Sequence, residues 1–418
     1  MSKRPSTAAL PPAKRLAPIF AMGKASTSAP PPTTGTFDHT APPTMIHYHH
    51  LDPLASTSEP SKDPVTIIMY DLDGTLIRPK DGRRFPKDAE DWQWWHGGVP
   101  SHLKKMAKAG NHIVVFSNQL METEKKKRTW KGKLPLIAAR IDDVPIRVLA
   151  ATQRDAFRKP HTGMFDYLVQ LYEEKGWKID REKSLYVGDA AGRKGDHSNT
   201  DFTMALNAGL NFETPEEHFL GMGPKYPNPP AAFRPTAMKD YGNLPPIVPS
   251  NTPIAREQAE IVLFIGPPAA GKTSFYRRHF DTYEHINQDT LRTRDACIRA
   301  ARRAADEGRA IVVDNQNRDK GTRALWVNLA KELKLPIRAF HFKVPVDLAE
   351  HNSLYRGMYA PIGEPSREVL PKQAFISFSN AYDAPLKNEG FEEVRTVNFV
   401  WEGTAEQFKL WDRYLLSK

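Results

Sequence analysis

One short stretch constrains the fold of this chain more than any other: residues 66–76, with the sequence TIIMYDLDGTL. Its apolar, β-branched run predicts a buried strand of a parallel sheet. The strand ends at Asp71 and Asp73, at the edge where open α/β sheets bind their ligands. Because side chains alternate along an extended chain, we expect both carboxylates on one side and Leu72 in the fold interior. Taken alone, the Asp-Gly pair is equally compatible with a simple turn.

Polar groups follow three further predicted strands in the same way. Ser117 ends the strand at 111–116, Lys159 comes after the strand at 146–151, and Asp189 follows the strand at 184–187. A hydroxyl and a lysine are suited to holding a phosphoryl group, and a carboxylate is a ligand that Mg²⁺ prefers. Two carboxylates as close as Asp71 and Asp73 suit a nucleophile beside a proton donor and acceptor.

This order of motifs resembles the haloacid-dehalogenase-type phosphotransferase superfamily. The resemblance implies that Asp71 attacks phosphorus, and that Asp73 protonates the leaving oxygen and later activates water. It implies that Asp71, Asp189 and the backbone carbonyl of Asp73 hold Mg²⁺, while Ser117 and Lys159 bind the phosphate. The intervals between the motifs leave no room for a large cap domain, so we expect a site open to a macromolecular end.

A second core begins with the apolar run at 261–265, followed by GPPAAGKT at 266–273. This is a complete GxxxxGK[ST] loop between a strand and a helix, the context that separates a true P-loop from a chance match. Its backbone amides are expected to hold the phosphates of ATP, with Lys272 at the β and γ oxygens and Thr273 on Mg²⁺. The expected nucleotide-binding residues are Gly266, Ala270, Gly271, Lys272, Thr273 and Ser274.

The segments after the P-loop indicate a kinase. Asp289 and Arg292 stand three residues apart, so that Asp289 is placed to accept the proton of an attacking hydroxyl while Arg292 holds a phosphate. A surface ion pair is the alternative interpretation of these two residues. Arg356 lies in a predicted helix at 347–358 and is expected to close over ATP; His351 and Asn352 beside it are equally compatible with helix packing. Asp314, at the end of the strand at 310–313, is a candidate contact to Mg²⁺ or substrate.

Together these segments resemble the polynucleotide kinase 3′-phosphatase family. The matching phrases include DLDGTL, VVFSNQ, RKPHTGMFD, YVGDAAGR, GPPAAGKTSF, NQDTLR and VVDNQN, which extend over nearly all of the chain after residue 64. The resemblance implies a DNA-repair enzyme that removes a 3′-phosphate and uses ATP to phosphorylate a 5′-hydroxyl, giving ends that a ligase can join. It makes Asp289 the kinase general base and Arg356 the lid residue. The expected substrate-binding residues are Asn118, Arg158, Arg193 and Arg292.

The predicted fold class is α/β, with two domains built on mainly parallel sheets: a Rossmann-like phosphatase core and a P-loop kinase core. We expect a disordered Pro/Ser/Thr-rich tail over 1–63, a 3′-phosphatase domain over 64–222, a Pro-rich linker over 223–254 and a 5′-kinase domain over 255–418. The forkhead-associated domain of animal relatives is not expected in so short a tail. The tail histidines His47, His49 and His50 suggest either a metal site or an incidental cluster.

Charge and composition indicate a polyanionic partner inside the cell. The formal net charge is +10, which favours a nucleic acid, and the family resemblance implies DNA strand-break termini, single- or double-stranded. The basic run from Lys125 to Lys133 either faces a phosphate backbone or forms a solvated helix face. Cys297 is the only cysteine, which favours a reducing compartment. The pairs Lys3-Arg4 and Lys14-Arg15 are compatible with a bipartite nuclear import signal or with solvated tail charges. We expect a monomer, contacts to repair proteins through the tail, and no membrane association.

Two other functions remain open from the sequence. The same pair of activities on RNA ends would use the same catalytic residues, because the sugar 2′-hydroxyl is recognised by local pocket shape. A basic end-binding scaffold with inactive sites would lack catalytic groups, whereas the expected catalytic residues of both sites are present.

Overall fold

A computed structural model of the chain describes residues 35–55, 63–359 and 367–416. The first domain is a twisted sheet with helices on both faces, and its central strand is the apolar run that precedes Asp71. Alternate side chains of that strand enter two different cores, with Ile68 and Tyr70 on one face and Ile67 and Met69 on the other. A strand buried on both faces is therefore continuously apolar.

Most of the first domain alternates strands and helices along the chain. Between the central strand, Ile67–Tyr70, and the first helix, Val99–Lys108, the regular structure is a two-stranded sheet of Ile77–Arg78 and Gln93–Trp94. The elements are β1 Thr36–Asp38, β2 Met45–His50, β3 Ile67–Tyr70, β4 Ile77–Arg78, β5 Gln93–Trp94, α1 Val99–Lys108, β6 His112–Asn118, α2 Glu124–Ala138, β7 Ile146–Ala151, α3 Gly163–Glu174, β8 Leu185–Val187, α4 Thr200–Ala208, β9 Asn211–Glu213 and α5 Pro215–Leu220. The sheet order is β1-β2-β7-β6-β3-β8-β9, with β7 to β9 parallel and β1 and β2 antiparallel additions.

The expected disordered tail over 1–63 is wrong for part of its length. Strand β2 pairs along its whole length with β7, and β1 pairs with β2. Strand β2 is short and lies between Pro43 and Pro53, and its partner strand lies about a hundred residues away, so no local signal predicts the pairing. Within β2 the His47 side chain is buried and lies 3.1 Å from a carboxylate oxygen of Asp38, while its other nitrogen faces Arg147, which also forms an ion pair with Asp52. His47 thus helps to fix the β1-β2 hairpin to the sheet; the two basic pairs at 3–4 and 14–15 lie outside the described residues.

The second domain repeats the same layered plan. Its central strand sends Ile261, Leu263 and Ile265 into one core and Val262 and Phe264 into the other. The elements are β10 Ile247–Val248, β11 Ile261–Ile265, α6 Lys272–His279, β12 Glu284–Ile286, α7 Gln288–Leu291, α8 Arg294–Asp306, β13 Ile311–Val313, α9 Lys320–Leu333, β14 Ile337–Phe342, α10 Val346–Tyr359, α11 Lys372–Ala381, β15 Glu393–Val397 and α12 Ala405–Trp411, with 3₁₀ turns at Pro235–Ala237 and Lys387–Glu389. The sheet order is β10-β15-β14-β11-β13-β12, and only the β10 pair is antiparallel.

The Pro-rich segment expected as a linker over 223–254 is bound to the second domain. Strand β10 lies inside it and pairs with β15. Buried arginines hold its carbonyl groups: Arg395 donates to Pro249 at 2.8 Å and to Pro253 at 3.0 Å, and Arg338 donates to Ile254 at 2.8 Å. The expected linker is therefore attached in its second half to the sheet of the second domain. Proline carbonyls are available for these bonds, because proline has no N–H to donate but keeps its acceptor.

The two domains contact each other near the carboxyl terminus. The Asn207 side chain, on α4 of the first domain, exchanges two hydrogen bonds of 2.9 Å with the backbone of Tyr414. Arg413 donates to the hydroxyl of Thr162 at 2.7 Å. These bonds join the end of the second domain to α4 and to the loop that follows Lys159. Among the described residues, the helices are too short or too polar to span a lipid bilayer.

Candidate active sites

The first candidate site lies where β3, β6 and β8 end, and a buried lysine is at its centre. The Lys159 ammonium group donates to a carboxylate oxygen of Asp71 at 2.6 Å and lies 2.7 Å from a carboxylate oxygen of Asp201. It also donates to the Phe116 carbonyl at 2.9 Å and the Tyr186 hydroxyl at 2.8 Å. Burial lowers the pKa of Lys159, but the two carboxylates outweigh it and the pKa is raised, so the lysine stays charged.

The loop that follows Asp71 holds Asp189 in place. Its backbone amide donates to the Thr75 hydroxyl at 3.0 Å, and the same hydroxyl lies 3.3 Å from its carboxylate. Gly74 lies between them with φ +96°, and a Cβ atom there would come within 2.7 Å of the Asp189 carboxyl carbon. Only glycine fits this close approach, which explains the Gly in the DLDGTL segment.

The charges of this site fit a divalent cation. Carboxylate oxygens of Asp71, Asp189 and Asp201 lie within 4.8 Å of one another, whereas Lys159 is the cation that pairs with two of the three. Burial, followed by the neighbouring carboxylates, raises the pKa of Asp71 well above its ordinary value. Burial and the Asp201 carboxylate raise the pKa of Asp189 to about 7. Hard oxygen donors with excess negative charge are what Mg²⁺ binds. Lys159 engages Asp201 and one carboxylate oxygen of Asp71, so the other oxygen of Asp71 and the Asp189 carboxylate are the donors left for the cation.

Asp73 lies at the more open side of the same site, as predicted from the alternation, and Leu72 between the two aspartates is buried in the core. One carboxylate oxygen of Asp73 accepts a hydrogen bond from the Gln119 amide at 2.7 Å, and that amide also donates to the Ser117 hydroxyl at 3.0 Å. The other oxygen lies 3.7 Å from the Lys133 ammonium group. The structure therefore brings together four strand-end residues expected from the sequence: Asp71, Asp73, Ser117 and Asp189.

Three residues expected to bind substrate have other contacts. Asn118 brackets the backbone of Lys159, accepting from its amide at 2.9 Å and donating to its carbonyl at 3.0 Å. Arg158 donates to the Gln119 carbonyl at 3.4 Å. Arg193 donates to Asp196 and Glu216 and, at 3.0 Å, to the Asp189 carbonyl, so it supports the Asp189 loop rather than facing an open site.

The second candidate site is the P-loop between β11 and α6. The loop turns tightly through Gly266 and Gly271, with φ values of +159° and +91°, and a Cβ on Gly266 would lie 2.8 Å from that of Phe342. Lys272 at the start of α6 donates to the carbonyls of Gly266 at 3.2 Å and Pro267 at 2.6 Å, and its burial lowers its pKa to about 8. The amino terminus of α6 thus faces the loop, the arrangement that binds phosphate groups.

Thr273 and Asp314 form the metal-binding side of this site. The Thr273 hydroxyl donates to the Asp314 carboxylate at 2.7 Å, and the same carboxylate oxygen lies 3.0 Å from a ring nitrogen of His285. Burial raises the pKa of Asp314, but the hydrogen bonds from His285 and Thr273 outweigh it and the pKa is lowered. An ionised carboxylate beside a threonine hydroxyl is the donor pair that holds Mg²⁺ in P-loop enzymes.

The expected proton acceptor and lid arginine lie around the same lysine. Asp289 is exposed on the short helix α7. The charge of Asp289 raises the pKa of Lys272, and the charge of Arg356 on α10 lowers it. Arg292 ends α7 with φ +72°, so the two residues do not continue along one helical face. Ion pairs of Asp289 or Arg292 are not found within the part of the chain that is described. His351 and Asn352 are packing residues, because both hydrogen-bond to Trp411.

Four residues of these sites were missed or misplaced by sequence reasoning. Asp201 and Tyr186 hold Lys159, and His285 holds Asp314. Lys133 belonged to a basic run that was interpreted as a surface, yet it is buried. The one local signal for Lys133 is its spacing from Trp130, Leu134 and Ile137, which are the apolar residues of α2.

Comparison with known proteins agrees with this two-site arrangement. The profile of the polynucleotide kinase 3 phosphatase family matches residues 66–219, and that of an AAA domain matches residues 261–370. One match therefore lies in each of the two domains. Each includes the strand-end residues described above.

Several relatives match over one or both domains. A Schizosaccharomyces pombe protein named bifunctional polynucleotide phosphatase/kinase is 37% identical over 341 residues, which is 79% of this chain and 79% of that protein. An Acanthamoeba polyphaga mimivirus protein with a provisional name of the same kind is 28% identical over 85% of this chain and 90% of its own length. The polynucleotide 3′-phosphatase of Saccharomyces cerevisiae is 26% identical over 38% of this chain and 88% of its own length. With both domains matched and more than two thirds of a bifunctional relative covered, this chain belongs to the bifunctional polynucleotide phosphatase/kinase family.

Proposed function

We propose that the chain repairs DNA strand breaks by removing a 3′-phosphate at the first site and phosphorylating a 5′-hydroxyl at the second. The observation that supports this most directly is the presence of two separate sets of catalytic groups in one chain, around Lys159 and around Lys272. A scaffold with inactive sites is disfavoured, because burying a charge such as that of Lys159 costs hydration free energy, which a chain without catalytic function has no reason to retain.

At the phosphatase site, a carboxylate oxygen of Asp71 attacks phosphorus and the bond from phosphorus to the 3′-oxygen breaks. Asp73 gives its proton to that oxygen, which leaves as a 3′-hydroxyl, and the phosphoryl group remains on Asp71 as an acyl phosphate. Asp73 then takes a proton from water, whose oxygen attacks phosphorus and releases inorganic phosphate from Asp71. Ser117 and Lys159 stabilise the phosphoryl oxygens. Mg²⁺, held by Asp71, Asp189 and the carbonyl of Asp73, would neutralise charge on the phosphoryl group.

At the kinase site, Asp289 accepts the proton of the 5′-hydroxyl, and the 5′-oxygen forms a bond to the γ-phosphorus of ATP as the bond to the β–γ bridging oxygen breaks. Lys272 and Arg356 stabilise the charge that develops on the transferred group and on ADP. The donor pair of Thr273 and Asp314 fits Mg²⁺, which would neutralise negative charge on the phosphates. Asp289 is exposed, as a group that must meet the end of a polymer has to be.

The decisive assay uses a nicked duplex with a 3′-phosphate and a 5′-hydroxyl at the nick, incubated with ATP and Mg²⁺. Conversion of both ends, followed by sealing with a DNA ligase, supports the DNA-repair assignment. Conversion only of the matched RNA ends would retain both chemistries and overturn the DNA assignment. Failure of both substrates would contradict the proposed function itself.

We also propose a nuclear location, supported by the basic pairs Lys3-Arg4 and Lys14-Arg15. A fluorescent fusion with all four residues changed to alanine should lose nuclear enrichment relative to the unchanged fusion. An unaltered distribution would contradict the assignment.

A further inference from the structure

Helix α2 carries one lysine on its buried face. The apolar residues of that face are Trp130, Leu134 and Ile137, at the spacing of an amphipathic helix, and Lys133 lies among them with only 2% of its surface exposed. A lysine at such a position loses most of its hydration, which costs several kcal/mol unless a partner compensates. A leucine or methionine would serve packing better, so the charge itself needs an explanation.

The partner of Lys133 is the carboxylate of Asp73. Its ammonium nitrogen lies 3.7 Å from one oxygen of Asp73, and this is the ion pair that Lys133 makes within the described residues. The other oxygen of Asp73 accepts the 2.7 Å hydrogen bond from Gln119. The two oxygens are thus held from two separate elements, by α2 and by the end of β6.

We propose that Lys133, together with Gln119, is a positioning residue that fixes the Asp73 carboxyl group for both of its proton transfers. This inference rests on the proposed phosphatase function. Because Lys133 is buried and its ion pair is with Asp73, we expect it to act through that residue and not by binding the phosphate or the nucleic acid. Asp73 is 42% exposed at its side chain, so without these two contacts its carboxyl group would be free to rotate into solvent.

The consequence depends on the leaving group. The 3′-oxygen of a sugar is a poor leaving group and needs the proton of Asp73 in the first step, whereas p-nitrophenolate departs without one. The second step, attack of water on the Asp71 acyl phosphate, needs Asp73 with either substrate. Loss of Lys133 should therefore slow both steps on a 3′-phosphate but only the second step on p-nitrophenyl phosphate.

The test compares Lys133→Met with Lys125→Met, an exposed lysine of the same helix, in the full chain. For Lys133→Met we expect the kcat on a 3′-phosphorylated oligonucleotide to fall by about 100-fold, the scale of a 1 Å misplacement, with KM changed less than about twofold. On p-nitrophenyl phosphate the same variant should release a burst of one p-nitrophenolate per chain before a slow steady rate. Lys125→Met should keep the wild-type kcat and show no burst, and 5′-kinase activity should be unchanged in both.

Three results would overturn the inference: an unchanged kcat, a raised KM at constant kcat, or an equal loss on both substrates without a burst. If Lys133→Met does not fold, Gln119→Ala removes the other support of Asp73 from a partly exposed position and should show the same burst; its absence would count against the inference. If the wild-type chain cleaved p-nitrophenyl phosphate but no 3′-phosphate, the proposed function would fail, while the burst would still report on Lys133.

Discussion

The site around Asp189 predicts that Mg²⁺ and pH act together on stability. In the metal-free chain, burial and the Asp201 carboxylate raise the pKa of Asp189 from 3.8 to about 7. At a pH between these two values, the folded chain keeps a proton on Asp189 that the unfolded chain has already released. The free energy of unfolding should therefore fall as the pH rises from about 4 to about 7.

The size of this effect follows from the same pKa. A rise from 3.8 to about 7 corresponds to at most about 4 kcal/mol of destabilisation in the absence of metal, because each pKa step is worth about 1.36 kcal/mol. Bound Mg²⁺ compensates the ionised carboxylates, so it should stabilise the chain strongly at about pH 8 and little at about pH 5. At a free concentration about 100 times its dissociation constant, the gain at high pH is about 2.7 kcal/mol.

The assay is urea unfolding followed by tryptophan fluorescence, with EDTA or with Mg²⁺, at several pH values between about 5 and 8. The matched variant is Asp189→Asn, which lacks the titrating group and one metal donor. Its free energy of unfolding should change less with pH, and Mg²⁺ should add little. A metal-free wild-type chain whose stability is constant over this range, or an equal Mg²⁺ effect at both ends of it, would refute the reasoning.

Three other changes have defined outcomes. Gly74→Ala places a Cβ 2.7 Å from the Asp189 carboxyl carbon at φ +96°, so 3′-phosphatase activity should fall by about 100-fold while 5′-kinase activity remains; equal loss of both would contradict a local effect. The Lys272 pKa of about 8 predicts that ATP binding above about pH 8 takes up a proton, which calorimetry in buffers of different ionisation enthalpy will detect or exclude. Arg413→Ala removes the 2.7 Å hydrogen bond to Thr162 and should weaken the contact between the domains by about 1 kcal/mol, seen as faster proteolysis between them; an unchanged cleavage rate would show that the bond contributes nothing.

Much of both sites could be predicted from the sequence, because parallel sheets collect the carboxyl ends of their strands at one edge. Asp71, Ser117 and Asp189 each follow a short apolar run, and the structure places all three at that edge. The P-loop was equally predictable, since its motif fixes a loop between a strand and a helix. In both cases a pattern of neighbouring residues is enough to predict where the functional side chains lie.

What could not be predicted depends on contacts between distant segments. The pairing of β2 with β7 joins residues that are about a hundred positions apart. Strand β2 adds to the side of β7 that faces away from β6, and the local sequence of β2 does not indicate this. The contacts of Arg193 with Glu216 and Asp196 could not be predicted either, because Glu216 lies 23 residues further along the chain; its substrate-binding role stays a prediction. Lys133 is a different case, because its local spacing from the apolar residues of α2 indicates burial, whereas the run of basic residues around it predicts a surface.

The measurement that tests the account most directly follows both ends of one substrate in two variants. We expect Asp71→Asn to abolish removal of the 3′-phosphate while phosphorylation of the 5′-hydroxyl proceeds at the wild-type rate, and Lys272→Ala to do the reverse. Loss of both activities in either folded variant would contradict two separate sites in one chain.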